Sequence, residues 1–384
     1  MAPTLTIRDL RPARWCAVAR VRGTSSHAAL VWLPPARALS ERGYHLAKLQ
    51  LSLACGLYDR TLPLVDGAVV PDGIDLNFLA VPPGELFRRQ ARHAEFDVSE
   101  FSLSTYAMLQ ARGDRRLVAI PVFPSRMFRH AYIFVNSRAG IREPRDLVGR
   151  RVGTMEYQQT AAVWMRGLLE HEYAVPPDSV TWYFGGYDEP TPFTARVPVE
   201  LPPGVRAQTI PSEASLNQLL VDGEIDALMG ARPPRAFREG APGVARLFPN
   251  PQQVELDYYR RTGIFPIMHT VVVKRETYER APWVAVSLYK AFVEAKAIGH
   301  QRLTLSNAVH CSLPWLLLQL EELHATMGSD PFPYGLDANR PVLETFLQYS
   351  LEQGLLERAL TVDELFAPET RGSVSVVTRA VAYD

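Results

Sequence analysis

The stretch Phe96-Asp-Val-Ser-Glu-Phe-Ser-Leu-Ser-Thr-Tyr106 leads from a short apolar strand directly into a helix. Strands are also predicted at 49–54, 74–80 and 117–122, where apolar residues alternate with polar ones or form short runs. A helix at 83–93 begins with a proline, which is favoured in a first turn. Repeated strand–helix units favour a mainly parallel sheet with right-handed crossovers, and therefore an α/β protein.

A second set of strands and helices occupies residues 131–269. Its predicted strands lie at 131–136, 151–154, 180–184 and 225–229, and its helices at 144–148, 160–171 and 212–221, the last capped by Ser212, with 258–263 closing the set. After an apolar strand at 268–274 the pattern is helical, at 282–303, 314–327, 340–353 and 362–366. If those helices pack on the first set, the chain crosses between the two sets twice, near 129–135 and 266–273.

Two crossings predict a two-lobed α/β fold with a ligand cleft between the lobes. Lobe 1 is expected to contain residues 47–130 and 270–384, and lobe 2 residues 131–269. Hinge-bending binding proteins have this layout, so a small ligand held between the lobes is the expected partner.

The composition is that of a globular protein with a hydrophobic core. The chain has 384 residues, of which 47% are hydrophobic and 21% charged. Lys+Arg and Asp+Glu both number 41, so the formal net charge is zero and neither nucleic acid nor an anionic membrane is favoured as a partner. No apolar run approaches the roughly 20 residues of a membrane helix. A charged ligand must therefore be recognised locally, and the oligomeric state is left open.

The cysteines and the N-terminus bear on the cellular compartment. Cys16, Cys55 and Cys311 form no CxxC motif or Cys/His cluster, so neither a zinc site nor a disulfide framework is expected, and a cytoplasmic location is predicted. Residues 1–46 contain seven arginines but no convincing signal peptide. They are interpreted either as the result of a start codon set too early, with the true start near Leu46, or as a disordered extension or targeting peptide.

Four arginines follow the carboxyl ends of predicted strands, where open parallel sheets bind their ligands. They are Arg60, Arg126, Arg129 and Arg232. A guanidinium group matches a carboxylate in two-pronged geometry, so convergence of the four would suit a ligand with two negative charges. The alternative for each of them is a solvated surface residue or the partner of a nearby carboxylate.

Side chains with hydroxyl or amide groups begin one predicted helix in each lobe. They are Ser102, Ser104 and Thr105 in the first lobe and Tyr157, Gln158, Gln159 and Thr160 in the second. With the free N–H groups of a helix N-terminus they could hold an anion, and the alternative is ordinary capping. Tyr58 is a further candidate for ligand binding, because it follows the first strand next to Arg60.

Three residues are candidates for proton transfer or for binding a hydroxyl group. His130 and His269 lie at the two predicted crossings, which would bring both to the cleft, and imidazole exchanges protons near neutral pH. Glu100 lies at a strand end, where it would pair with an arginine or hold a phenolic hydroxyl. The alternatives are core or hinge histidines and a buried ion-pair carboxylate.

Motifs for several other chemistries are missing from the sequence. It contains no GxSxG elbow, no P-loop, no GxGxxG after the first strand and no HExxH. No redox or nucleotide cofactor is therefore predicted.

Several blocks of sequence carry a family likeness. They are Leu51-Ser-Leu-Ala-Cys-Gly-Leu-Tyr-Asp-Arg-Thr61, the opening stretch at 96–106, Pro124-Ser-Arg-Met-Phe-Arg-His130, Gly153-Thr-Met-Glu-Tyr-Gln-Gln-Thr160, Gly230-Ala-Arg-Pro-Pro234 and Pro266-Ile-Met-His269. Together they resemble the 4,5-dihydroxyphthalate decarboxylase family, from about residue 47 to the C-terminus. The resemblance implies a fold like that of type 2 periplasmic binding proteins, which agrees with the two crossings.

The resemblance also implies a reaction. One carboxylate would be removed from 4,5-dihydroxyphthalate, or a related aromatic acid, to give 3,4-dihydroxybenzoate and CO2 without a cofactor. The four arginines would hold carboxylates, Glu100 would engage a hydroxyl, and His130 or His269 would protonate the ring carbon that loses its carboxylate. A divalent metal bridging the hydroxyl oxygens is not excluded, because Asp59, Glu100 and the two histidines are of metal-ligand types.

Other functions on the same fold are open alternatives. A solute-binding protein for a small aromatic or carboxylate anion would have the same cleft, since fold does not decide function, although an export signal is not evident. Thiamine-pyrimidine synthases resemble this fold but use a cysteine-rich motif that three scattered cysteines do not supply. A decarboxylase for a different aromatic acid would differ in only a few cleft side chains.

Overall fold

The computed structural model describes residues 47–307 and 309–372. Its strands are β1 (Leu49–Cys55), β2 (Ile74–Ala80), β3 (Val98–Ser102), β4 (Leu117–Arg126), β5 (Ile133–Asn136), β6 (Arg151–Thr154), β7 (Thr181–Phe184), β8 (Arg206–Thr209), β9 (Ala227–Met229), β10 (Val244–Arg246) and β11 (Ile267–Lys274). Its α-helices are α1 (Leu62–Val65), α2 (Pro83–His93), α3 (Leu103–Ala111), α4 (Thr160–Tyr173), α5 (Leu216–Asp222), α6 (Arg235–Arg238), α7 (Pro251–Thr262), α8 (Arg275–Arg280), α9 (Trp283–Thr304), α10 (Leu316–Met327), α11 (Arg340–Glu352) and α12 (Val362–Leu365). The expectations for residues 1–46 lie outside the described residues.

The first sheet has the strand order β2-β1-β3-β11-β4. Strand β1 is parallel to both β2 and β3, whereas β11 is antiparallel to β3 and to β4. The expectation of a mainly parallel sheet therefore needs correction at β11. The chain returns from the second sheet at the carboxyl ends of β3 and β4, and β11 inserts between these two strands. It therefore runs in the opposite direction to both.

The second sheet has the strand order β10-β5-β9-β6-β7-β8. Strands β6, β7, β8 and β9 are parallel, and β5 is antiparallel to its neighbours β9 and β10. The edge strands β8 and β10 were not expected, because they are three or four residues long and polar or half-exposed, which leaves almost no hydrophobic pattern to detect.

The chain passes between the two sheets twice, from β4 to β5 and from α7 to β11. The predicted α/β fold with two sheets and two crossings is thus confirmed. The predicted lobe boundaries stay a prediction. Late helices also contact α4, because Trp164 lies 5.4 Å from Phe346 between ring centroids and Arg166 donates to Gln353 at 2.9 Å.

The β3–α3 unit forms as its sequence indicates. Val98 and Phe101 of β3 are fully buried. Ser102 ends the strand and caps the helix, since its hydroxyl accepts a hydrogen bond from the backbone N–H of Thr105 at 3.4 Å. The strand end and the helix start therefore share one residue, which fixes the polar groups of this turn relative to the sheet.

One expectation in the second set is wrong in detail, the Ser212 cap, and the segment that closes the set is part of a longer helix. Helix α5 begins after Ser215, whose hydroxyl accepts from the backbone N–H of Gln218 at 3.2 Å, whereas the hydroxyl of Ser212 bonds to the adjacent Glu213. The segment 258–263 is the end of α7, a helix that starts with Pro251 in its first turn. Among the described residues no helix is both long enough and apolar enough to cross a membrane.

Candidate active site

The carboxyl end of β3 meets the start of β11 at one edge of the first sheet. His269 on β11 is the antiparallel partner of Ser102 on β3. Cross-strand partners point to the same side of a sheet, and so do residues two apart on one strand. The side chains of Glu100, Ser102 and His269 therefore share one face of the sheet.

Glu100 is the centre of a buried hydrogen-bond cluster and is itself 0% exposed. Its Oε1 accepts from the Tyr58 hydroxyl at 2.6 Å and lies 2.6 Å from Nδ1 of His269. Its Oε2 accepts from the backbone N–H of Gly56 at 2.9 Å and from the Cys55 thiol at 3.6 Å. Both carboxylate oxygens are thus used within the protein.

These donors keep Glu100 ionised. Burial by itself would raise the pKa of the Glu100 carboxyl, but His269, the Tyr58 hydroxyl and the Gly56 N–H together lower it below its ordinary value. Burial and the Glu100 charge raise the pKa of the Cys55 thiol and of the Tyr58 hydroxyl. Cys55 and Tyr58 are therefore protonated donors to Glu100 and not bases at neutral pH.

His269 is held on one side and open on the other. Because the ionised Glu100 only accepts hydrogen bonds, the proton between the two side chains belongs to Nδ1 of the imidazole. The ring packs edge-on against Phe87 at 4.7 Å between centroids. Nε2 has no hydrogen-bond partner among the described residues, and the side chain is 18% exposed. His269 thus presents one nitrogen to a ligand.

The N-termini of α3 and α4 meet beside this cluster. The Ser102 and Thr160 hydroxyl oxygens lie 2.9 Å apart, and the Ser104 backbone N–H donates to the Thr160 hydroxyl at 3.2 Å. The Thr105 hydroxyl donates to that of Ser102 at 3.1 Å. Three of the hydroxyl-bearing candidates from the first lobe and one from the second are therefore brought together, where helix dipoles favour negative charge.

The other three candidates at the start of α4 lie in the protein interior or serve its architecture. The Tyr157 hydroxyl is buried without a partner among the described residues, and the Arg166 guanidinium stacks 3.7 Å from its ring centroid. Gln158 donates to Glu156 at 2.8 Å and to the backbone carbonyl of Val197 at 3.1 Å. The Gln159 amide donates to the sulfur of Met155 at 3.8 Å, and its oxygen is buried without a partner in the part of the chain that the structure describes.

Two of the predicted arginines are bound to the protein itself. Arg126 donates to the backbone carbonyls of Phe265 at 3.1 Å and Pro333 at 2.9 Å and to the Asn339 side chain. Arg129 donates to the Ala231 carbonyl at 3.2 Å and to a methionine sulfur. Burial lowers the pKa of Arg126 to about 9 and that of Arg129 to about 10. Both guanidinium groups hold chain segments near the crossings.

The remaining two arginines each pair with a carboxylate of the protein. Arg60 donates to the Pro124 carbonyl at 2.7 Å, pairs with Asp59 at 2.8 Å and lies over the Tyr58 ring at 4.3 Å. Arg232 pairs with Asp188 at 3.0 Å, and its side chain is 57% exposed. Three of the four arginines thus bond to backbone carbonyls that no sequence pattern identifies, and their convergence on a ligand stays a prediction.

His130 has a very different environment from His269. It is almost fully buried, and its ring contacts those of Tyr173, Phe248 and Tyr258. Neither of its nitrogens has a hydrogen-bond partner among the described residues. Glu255 lies 3.9 Å from its Nδ1. Burial lowers the pKa of His130 to about 4, so the ring is neutral at physiological pH. The two histidines do not share a neighbour in these contacts.

Comparison with known proteins identifies the family. No protein-family model matches the chain. A 4,5-dihydroxyphthalate decarboxylase from Comamonas testosteroni is 41% identical over 331 residues, which cover 86% of this chain and 100% of the relative. The chain belongs to the 4,5-dihydroxyphthalate decarboxylase family. A second 4,5-dihydroxyphthalate decarboxylase, from Pseudomonas putida, is 43% identical over 213 residues, or 56% of this chain and 82% of the relative.

A solved structure supports the fold of this decarboxylase-family chain. A periplasmic sulfonate-binding protein of a sulfonate ABC transporter from Methylobacillus flagellatus aligns with a TM-score of 0.50 and 10% identity, over 84% of this chain and 93% of that protein. At this identity the likeness concerns the fold alone, and it agrees with the periplasmic-binding-protein-like layout expected from the sequence.

Sequence reasoning missed two side chains of the candidate active site, Arg196 and Phe87. Arg196 lies between β7 and β8, where its guanidinium donates to the Thr105 hydroxyl at 3.4 Å and lies 5.4 Å from the centroid of the Phe87 ring. Phe87 on α2 contacts both Arg196 and His269. Arg196 follows a strand end, as the predicted arginines do, but it lies twelve positions after Phe184, the last residue of β7. The segment between them contains prolines and has no hydrophobic periodicity.

A metal site at the predicted ligands is not formed in the part of the chain that the structure describes. Glu170, His171 and Glu352 are the residues there whose ligand atoms lie close enough to share an ion, and two of them are exposed. Asp59 instead pairs with Arg60, and Glu100 is surrounded by donors. The arrangement around Glu100 favours acid–base chemistry over metal ligation.

Proposed function

We propose that this chain is a carboxy-lyase that removes one carboxylate from 4,5-dihydroxyphthalate and releases 3,4-dihydroxybenzoate and CO2. The observation that carries the proposal is the contact of 2.6 Å between Glu100 and Nδ1 of His269, with Nε2 of His269 open beside two helix N-termini. Two relatives that carry the name of this enzyme support the substrate, because one of them aligns over its full length.

The reaction needs an acid at a ring carbon. In the proposal, protonated His269 donates the Nε2 proton to the carbon that bears the departing carboxylate. The ring becomes cationic, and the hydroxyl para to that carbon supplies electron density to it. The electron pair of the carbon–carboxylate bond then returns to the ring, and CO2 departs. One proton is consumed in each turnover and becomes the new ring C–H, so atoms and charge balance without an oxidant or reductant.

Glu100 acts on the substrate through His269. Its carboxylate is fully buried and accepts from four protein groups, so it does not meet a substrate hydroxyl as the resemblance implied. The ionised carboxylate accepts the Nδ1 hydrogen and thereby fixes the direction of Nε2. Glu100 is therefore a positioning residue, and Tyr58 stabilises its charge.

The anionic substrate is proposed to lie at the meeting point of α3 and α4. The hydroxyls of Ser102, Thr105 and Thr160 and the backbone N–H groups at these helix ends favour negative charge. This position is next to His269, since Ser102 is its cross-strand partner. Binding there would bring a carboxylated ring within reach of Nε2.

The proposal includes catalysis without a metal or organic cofactor, in the cytoplasm. Its chemistry uses only proton transfer, which His269 and solvent supply. The free thiols of Cys55 and Cys311 are consistent with a reducing compartment. Fractionation of cells that express the chain would test the location, and a periplasmic protein would contradict this part.

The experiment that tests the reaction is incubation of metal-stripped protein with 4,5-dihydroxyphthalate, with measurement of CO2 and 3,4-dihydroxybenzoate. Turnover is expected without added metal, and in D2O the product should carry one deuterium at the ring position that lost its carboxylate. Tight binding of the substrate with no turnover, with or without divalent metal, would instead favour a solute-binding protein. Absence of both binding and turnover would contradict the substrate.

A further inference from the structure

Arg196 is a buried cation whose partners, within residues 47–307 and 309–372, leave much of its hydrogen-bonding capacity unused. Its side chain is 11% exposed, and burial lowers its pKa. Its contacts are both long, at 3.4 Å to the Thr105 hydroxyl and 3.6 Å to a carboxylate oxygen of Glu156. A guanidinium carries five N–H donors, and a buried charge is costly unless it is paired and hydrogen-bonded. This arrangement favours an incoming anion.

The segment that carries Arg196 is fixed to the second sheet. Phe193 stacks on Phe184 of β7, with ring centroids 5.9 Å apart. Gln158 donates to the Val197 carbonyl at 3.1 Å, one residue after Arg196. The backbone N–H of Arg196 also points to Glu156, at 3.4 Å. The backbone that carries Arg196 is therefore held in place by anchors on both sides, as a binding residue for a rigid ligand requires.

Arg196 is connected to the proton donor through two side chains. Its guanidinium contacts the Thr105 hydroxyl, which donates to Ser102 at 3.1 Å, and Ser102 is the cross-strand partner of His269. Phe87 also separates the two, with its ring 4.7 Å from the imidazole of His269 and 5.4 Å from the Arg196 guanidinium carbon. The cation and the acid thus lie on two sides of the Phe87 ring, and both are next to the Ser102–Thr105 hydroxyl pair.

The two carboxylates of the proposed substrate have different needs. The departing carboxylate loses its charge when it leaves as neutral CO2, so a cation bound to it would stabilise the ground state more than the transition state. The other carboxylate is anionic in the substrate, in the transition state and in the product. A permanently charged guanidinium suits the carboxylate that stays, and the apolar Phe87 ring beside His269 suits the one that leaves.

We infer that Arg196 is the binding site for the carboxylate that remains on the ring, and that it sets which of the two carboxylates faces His269. The inference rests on the proposed function, because it assigns the second carboxylate of that substrate. It predicts a preference for aromatic acids with two adjacent carboxylates, since one must reach Arg196 while the neighbouring ring carbon reaches Nε2.

Binding measurements on the product test this assignment separately from turnover. 3,4-Dihydroxybenzoate keeps the carboxylate in question, and catechol lacks both. Isothermal titration of Arg196→Gln with 3,4-dihydroxybenzoate is expected to show affinity reduced about 10- to 100-fold, the usual range for a charged hydrogen-bonding partner. Catechol should bind as it does to the wild type. Arg196→Lys keeps the charge but loses the two-pronged geometry of the guanidinium group. Its affinity for 3,4-dihydroxybenzoate should lie between those of the wild type and Arg196→Gln.

A matched control is Arg89→Gln on α2, whose guanidinium pairs with Glu85 and Glu95 at the surface and should leave both affinities unchanged. Unchanged binding of 3,4-dihydroxybenzoate to Arg196→Gln would overturn the assignment, and so would an equal loss for catechol, which would indicate a structural role. A chain that binds 3,4-dihydroxybenzoate through Arg196 but does not decarboxylate 4,5-dihydroxyphthalate would leave the subsite standing and refute the proposed reaction instead.

Discussion

His130 and His269 lie near the two crossings of the chain, yet their surroundings differ in every respect that matters for proton transfer. His269 has an ionised carboxylate 2.6 Å from Nδ1 and an open Nε2. His130 has aromatic neighbours, no hydrogen-bond partner among the described residues and a pKa lowered to about 4. Position in the fold therefore does not make a histidine an acid; a charged partner and access to the ligand do.

The largest expected effect separates the two histidines directly. His269→Ala should lower kcat by about 10²- to 10⁴-fold, because it removes the proposed general acid. His130→Phe fills the same aromatic space and should keep kcat within a few-fold of the wild type. Steady-state kinetics on 4,5-dihydroxyphthalate measure both. Comparable losses in the two variants would break the distinction, and a loss in His130→Phe alone would reverse it.

Each histidine has one carboxylate beside it, Glu100 at His269 and Glu255 at His130, and these two provide the second comparison. Glu100→Gln removes the ionised acceptor that orients His269 through Nδ1, so kcat should fall on the order of 10²-fold. Glu255→Gln, beside His130, keeps an acceptor for the Ala131 N–H that bonds Glu255 at 3.0 Å and should leave kcat nearly unchanged.

The split between kcat and KM tells a positioning role from a structural one for Glu100. If the carboxylate orients His269, Glu100→Gln should lower kcat while KM and the melting temperature stay near those of the wild type. A lower melting temperature together with a higher KM would indicate a role in folding alone.

The pH dependence of stability should report His130. Its pKa is lowered from 6.5 to about 4 in the folded chain, so between these values the unfolded chain binds more protons. The stability that depends on neutral His130 is therefore complete above pH 6.5 and is lost as the pH falls toward 4, in total on the order of 3 kcal/mol. Urea unfolding across this range should show a shallower decline for His130→Phe, and identical slopes would contradict the buried, unpaired imidazole.

The smallest expected effect concerns the tyrosines around each histidine. Tyr58→Phe removes the hydroxyl that donates to Glu100 at 2.6 Å. The loss of this one donor should lower kcat by no more than about 10-fold. Tyr258→Phe keeps the ring that packs 5.3 Å from His130 and should be silent in kinetics. Equal kinetic effects in the two variants would argue against a special role for the Glu100 cluster.

Local elements were largely predictable from the sequence, and their arrangement was less so. The strand 74–80 and the helix 83–93 agree with β2 and α2, because a clear pattern and a proline mark them. The orientation of β11 depends on where the chain returns to the sheet, which no local pattern records. The short edge strands β8 and β10 gain their structure from their neighbours.

The candidate site was predictable in its residue types but not in their partners. Strand ends led to Glu100, Ser102, Thr105 and Thr160, which do come together. The pairing of Glu100 with His269 joins residues 169 positions apart, and only the antiparallel register of β3 and β11 brings it about. Arginines at strand ends were equally visible, yet three of the four bond to backbone carbonyls, which a sequence does not reveal.

The most direct test of the central claim is a crystal structure of the protein with bound 3,4-dihydroxybenzoate. The account predicts that Nε2 of His269 lies about 3 to 3.5 Å from the ring carbon that is ortho to the carboxylate and para to the 3-hydroxyl, the carbon that receives the proton. A ring bound out of reach of His269 would contradict the assignment of this histidine as the acid, whatever the kinetics of the variants.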